Sequence, residues 1–496
     1  TVNIGALIED EGPVRSFRAA TSNFFSPRSP VIRTADVMTS LVDNEIGYRI
    51  PRRGTIAAVL GLQLLLVLGA GVWLWKQRRL DRLALVIPVC AAAATLFLVW
   101  MGRQNVGSVD PTFAVGQIVR VDATGSEALV DSMAAVYSDT SGSLELSASP
   151  QTTMSLDDKV TSRLLWTDDG KTQWMHLAQP PGVVRHVSSD SQVRLSNPWT
   201  FKGQFTDRGF EGHLNGTKTS QSQDALVVSS STPSLALTND NGALVGTPAN
   251  VLLTGQFASQ SLLSDQKRQR QSVVRQLAES ERRFFERQPT LLFWTDAQEY
   301  GLEIGEPYSR RGWAVVSMPI QFKRPVGGAS FTVPANFVRL EVAASEDGFS
   351  TLFNARTGQW LEQRTQAQSA NLNCFVPPSL LPCQLSSANV EIKLTAPSRT
   401  LQIHSGSDET ESLIHRQSNP NGVIKIAVNA PKNLMLTDKG AWPLRVAISE
   451  TLQKLNAQET NDSDALDQMA DETSSGSDSR IWQIEYLRVT LSGTTQ

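Results

Sequence analysis

Two uninterrupted apolar runs stand near the start of the chain, and most of the chain beyond them alternates. Gly54 to Trp75 covers about 22 residues with Gln63 as its one strongly polar side chain, and Leu83 to Met101 covers about 19 with no charge. As helices each would reach roughly 28–33 Å, the thickness of a bilayer's hydrocarbon core. A soluble helix of that length carries a polar stripe, and neither run has one. Trp73, Trp75 and Trp100 sit at the ends, where amphipathic rings favour an interface. Pro88 is tolerable in a membrane helix because a neighbour can satisfy the freed carbonyl. The pattern predicts a transmembrane hairpin over 54–101, with the lipid bilayer as its first partner.

A hairpin leaves both flanks on one side. Its connecting loop carries Lys76, Arg78, Arg79 and Arg82, and short basic loops face the cytoplasm as a rule. Arg49, Arg52 and Arg53 at the other end blunt that asymmetry.

From about Val109 the period drops to two. "FAVGQIVRV" and "SLELSAS" read as half-buried strands, and "DATGS", "DDGK" and "NDNG" as turns. Asn241-Gly242 suits a hairpin with positive φ. The fold class expected is mainly β: two antiparallel β-sandwich-like domains joined by one helix and anchored by the hairpin. The expected boundaries are 1–53, the extracytoplasmic tail of an upstream domain; 54–101, the hairpin; 109–260, the first sandwich; and 261–288, the connecting helix. Then come 289–455, the second β domain; 456–480, an acidic disordered loop; and 481–496, a terminal strand of the second domain. A phase change near Leu487 reads as a bulge. In the connecting helix Ser264 is the N-cap, and Val273, Leu277 and Phe284 form the apolar face with Val274 and Phe285 alongside; Lys267, Arg268, Arg270, Arg275, Arg282, Arg283 and Arg287 suit a solvated face better than a site for an anionic partner such as lipid headgroups.

Composition changes little. Apolar content of 40% and charged content of 19% are globular, and a net charge of −3 offers no basic face, so nucleic acid is not expected. Cysteine usage adds more. Cys90 lies in the second apolar run, whereas Cys374 and Cys383 frame "CFVPPSLLPC" around a Pro-Pro turn. The pair is a candidate disulfide, which persists only in an oxidising compartment. Metal binding and two unrelated thiols are the alternatives, although the spacing is not that of a zinc knuckle. Together with the basic loop, the pair favours an extracytoplasmic body.

Catalytic signatures are missing from the sequence: no phosphate-binding loop, dinucleotide fingerprint, nucleophile elbow or H-E-x-x-H occurs. His176, His186, His213, His404 and His415 show no ligand spacing, so neither a metal nor a cofactor is expected and no catalytic residue is assigned. A Ser-His-Asp set drawn from distant segments stays open, because geometry defines it. Asp168 and Asp169 belong to a turn. Trp166, Trp174, Trp294, Trp360 and Trp482 suit core positions better than a glycan-binding cleft.

"GYRIPRRG", "RRLDRLA", "LLSDQKRQRQ", "PTLLFWTD", "FNARTGQW" and "IWQIEYLRVTL" together resemble a group of uncharacterised bacterial envelope proteins. In that group two membrane helices precede a long extracytoplasmic β region, often with an amidotransferase-like domain upstream. The resemblance implies a bacterial inner-membrane protein with its main body in the periplasm, and it transfers no functional residue. The expected role is an interaction or scaffolding module of the cell envelope with an envelope protein as partner. The alternative is a membrane-bound hydrolase of cell-wall glycan or peptide.

Overall fold

In the computed structural model the described residues are 34–47, 53–78, 82–156, 163–166, 170–216, 222–229, 232–253, 256–257, 264–280, 288–305, 307–343, 352–354, 358–360, 366–406, 411–449 and 481–496. The protein is mainly β, with 51% strand, 22% helix, several sheets and two long apolar helices. Four α-helices are described: α1 (Thr39–Ile46), extended backwards by a 3-10 turn at Thr34–Met38; α2 (Arg53–Lys76); α3 (Leu83–Val106); and α4 (Asp265–Ser280).

The apolar helices α2 and α3 are long and apolar enough to cross a membrane. Leu65 is 67% exposed and Leu96 is 70% exposed, so their side chains find little protein to pack against. The body begins within a few residues of α3, at the strand Thr112–Val121.

That strand is buried along almost its whole length, which departs from the half-buried strand expected. Both of its faces are covered. Ala114 and Ile118 pack with Met38, Leu41 and Val42 of the α1 segment and with Val273, Val274 and Leu277 of α4. Phe113 and Val115 pack with Leu144, Leu146, Trp174 and Leu177 of a four-stranded sheet on the other side. Gly116 permits the close approach of α1, because a Cβ there would lie 2.8 Å from Met38 Cβ and 2.9 Å from Val42 Cγ2.

Thr112–Val121 pairs antiparallel with Glu127–Tyr137, and in parallel with Ser309–Phe322, from Thr112↔Ser309 to Arg120↔Ser317. Ser309–Phe322 also pairs with Thr290–Asp296 and, at its far end, in parallel with Thr200–Thr206. The twelve-stranded sheet is therefore mixed rather than antiparallel. It draws strands from both sides of α4, which packs on this sheet. The cause is visible in "WAVVSMP", apolar but for Ser317: a nearly unbroken apolar run belongs to a central strand buried on both faces, and such a strand pairs wherever burial is complete.

The second β region follows alternation closely. One sheet runs Ser330–Val333, Gln483–Thr495, Cys383–Thr395, Asn421–Val428. The other runs Arg339–Val342, Gln368–Phe375, Ala441–Ile448, Thr400–Ser405, Ser412–Ser418. Every pairing in these two sheets is antiparallel. The last strand, Gln483–Thr495, lies at full length against Cys383–Thr395, and a register shift skips Glu485 where the periodicity changes phase. The hairpin at 238–246 turns through Asn241 and Gly242, both at positive φ.

The two regions share one apolar core. At the join, Phe337 lies 4.7 Å from Phe210 and 5.1 Å from Phe205, centroid to centroid, with Phe322 beside them. Thr332 Oγ1 donates to Asp207 O at 2.8 Å, and Arg488 Nη2 donates to Leu252 O at 2.6 Å. The acidic stretch 456–480, Asp168 and Asp169, residues 281–287 of the connecting segment, and Arg79 lie outside the described residues.

Candidate functional site at the hairpin junction

The residues that meet where α1 and α3 join the body come from three separate parts of the chain. Val37, Met38, Leu41, Val42 and Ile46 repeat at helical spacing and face the sheet, which seats the α1 segment as a body helix. Two polar contacts orient its last turn. Asp43 Oδ1 lies 2.7 Å from His186 Nε2, and Glu45 Oε1 accepts the Trp313 indole N–H at 2.7 Å. On the α3 side the Tyr137 hydroxyl donates to Val106 O at 2.8 Å. The start of Thr112–Val121, the end of Glu127–Tyr137 and the start of Val184–Arg194 thus form one end of the sheet, and both chain flanks of the apolar hairpin attach there.

Trp313 is also the floor of a buried charged group. Arg270 of α4, 3% exposed, stacks its guanidinium 4.1 Å from the Trp313 ring centroid. Arg270 Nη1 donates to Asp224 Oδ2 and Gln223 Oε1, both at 2.9 Å. Arg270, expected on the solvated face, is buried instead. Positions 270, 273, 274 and 277 follow i, i+3, i+4, i+7, so Arg270 shares the apolar face. A buried charge there is held by its carboxylate and by the two tryptophan rings. Ser264 caps α4 as expected, accepting the Lys267 N–H at 3.3 Å.

The histidines are dispersed. His404 Nδ1 lies 3.3 Å from Glu411 Oε1, and Arg445 Nη1 donates to the same carboxylate at 3.2 Å. His213 and Glu211 are 3.8 Å apart, His415 faces Gln417, and His176 lies 3.5 Å from Ser143 Oγ. Among the described residues no group of three or more His, Cys, Asp or Glu is placed to hold a metal ion. The carboxylate-paired histidines and the serine-paired one fall in different places. Trp174, Trp294, Trp360 and Trp482 are core residues, and the side chain of Trp166 lies outside the described set.

Cys374 sits on Gln368–Phe375 opposite Trp442 and Leu340, fully buried in the shared core. Cys383 opens Cys383–Thr395 in the other sheet, paired with Thr495. Both are free thiols here. Burial pushes the Cys374 thiol well above its ordinary value and the Cys383 thiol up to about 11. At the opposite extreme, Asp122 in the "DATGS" turn is held below the usual carboxylate range by the Thr124 hydroxyl and the Glu127 N–H.

What these observations define is a class: a mainly β protein with two membrane-length apolar helices inserted between one of its helices and its central strand. No protein-family model matches the chain, and no curated protein matches it.

Proposed function

We propose that the chain is a membrane-anchored interaction or scaffolding module of a bacterial cell envelope. In this reading α2 and α3 cross the inner membrane, the Lys76–Arg82 loop faces the cytoplasm, and the β body stands in the periplasm. The observation that carries the proposal is the junction: α1 before the hairpin and Thr112–Val121 after it pack against each other. The exposed leucines of α2 and α3 need an apolar solvent, and a bilayer supplies one. The two antiparallel sheets of residues 330–496 form a sandwich whose outer surface receives an envelope protein. In an oxidising periplasm Cys374 and Cys383 are the pair to be oxidised, read as a reductant-dependent mobility shift.

The test is sedimentation of native membranes with and without residues 53–106, followed by in-cell cross-linking. The intact chain resists an alkaline carbonate wash and cross-links reproducibly to one envelope protein. A full-length chain released by the wash, or one that cross-links to nothing, contradicts the proposal.

A further inference from the structure

The turn Pro180-Pro181-Gly182-Val183-Val184 joins the strand Thr172–Gln179 to Val184–Arg194 and has no hydrogen-bonding side chain in five consecutive positions. It is stiff. Gly182 takes φ +73°, its N–H donates to Ser138 O at 2.8 Å, and Gln179 Nε2 donates to Val183 O at 2.7 Å. It also lies beside the exit of α3: a Cβ on Gly182 would stand 3.1 Å from Val106 Cγ2. Pro180 and Pro181 are exposed, and Val183 is 43% exposed.

A rigid apolar tip pointed at water is unfavourable, since burying an aliphatic side chain removes apolar surface from water. Val106 lies five residues beyond Met101, the end of the uncharged run, with Arg103, Gln104 and Asn105 between, so the tip stands at the level where the headgroups of a bilayer would begin.

We infer that the Pro180–Val184 turn seats in the headgroup region of the bilayer, as a third membrane contact that fixes the tilt of the β body. The occupant is a lipid surface, and the inference rests on the anchoring proposed above. A contact beside the exit of α3 restrains the body from swinging about its tethers, which would present one constant face to a partner.

The test places a nitroxide at Val183→Cys in the full chain reconstituted in phosphatidylethanolamine–phosphatidylglycerol nanodiscs. Cys90→Ala and Cys383→Ala form the background, and the buried Cys374 stays in place. Relaxation by oxygen is compared with relaxation by a water-soluble nickel chelate, with Val72→Cys in α2 and Lys439→Cys in the second β region as references. The expected oxygen-to-nickel ratio at 183 is severalfold that at 439 and below that at 72. A ratio at 183 equal to that at 439, with 72 lipid-like, overturns the inference and leaves the anchor standing. A water-like ratio at 72 overturns both.

Discussion

The central strands of the two β regions are buried in different ways. Thr112–Val121 is closed on both faces, whereas the central Cys383–Thr395, like the edge strand Asn421–Val428 beside it, alternates between interior and exterior. In the second region the buried positions of both sheets join one apolar core and the alternate positions are more exposed, so a period of two is sufficient. In the first, one face is covered by a sheet and the other by α1 and α4. The helix that completes it lies across the apolar hairpin in sequence. In sequence the apolar hairpin thus lies within the first β region, between α1 and Thr112–Val121.

Truncation under α1 tests that difference most severely. Leu41 is fully buried, so Leu41→Ala should cost about 2–5 kcal/mol in a urea titration followed by tryptophan fluorescence. An undocked α1 would lose nothing. Gly116→Val overfills the same contact and should cost about 1–3 kcal/mol, and Met38→Ala should return part of it, because the two sites share a wall. Additive effects would mean that α1 does not lie where the sheet places it.

The second region yields an effect of pH. The thiols of Cys374 and Cys383 hold their protons more tightly folded than unfolded. For the reduced protein, stability should therefore decline as pH rises from the ordinary thiol value of about 8.5 toward 11, as read by Tm. With its thiol pushed up to about 11, Cys383 should be alkylated at pH 8 about 100-fold more slowly than an exposed cysteine. Rapid alkylation at pH 8 would show that this strand end opens. The smallest effect belongs to the half-exposed Asp43–His186 pair, where Asp43→Ala should cost about 0.2–1 kcal/mol.

Those contrasts track what could be read from the sequence. The two long apolar helices, the Asn241-Gly242 turn and the phase change in the last strand are legible, because each is a local consequence of period or turn chemistry. The sheet built from 112–121 and 309–322 is not. Its parallel pairing joins residues nearly two hundred positions apart, and continuous apolar runs carry no register. The α1 segment did leave a signal, with Val37, Met38, Leu41, Val42 and Ile46 at helical spacing, but adjacency to the hairpin made it read as a tail. Arg270 was hidden by its charge: helical position put it inside, and composition put it outside. For the junction, the polar contacts Glu45–Trp313 and Asp43–His186 span 268 and 143 residues, and no local pattern announces them.

The most direct test of the anchored body is impermeant thiol labelling of two single-cysteine additions in intact cells: Gln77→Cys in the hairpin loop and Lys439→Cys in the second β region, both exposed positions. Each is read against the chain carrying its native cysteines alone. Labelling at 439 in intact cells, with labelling at 77 only after permeabilisation, is the predicted result. Equal labelling at both positions before permeabilisation would mean that α2 and α3 do not cross a membrane, and the reverse order would invert the protein and place its body in the cytoplasm.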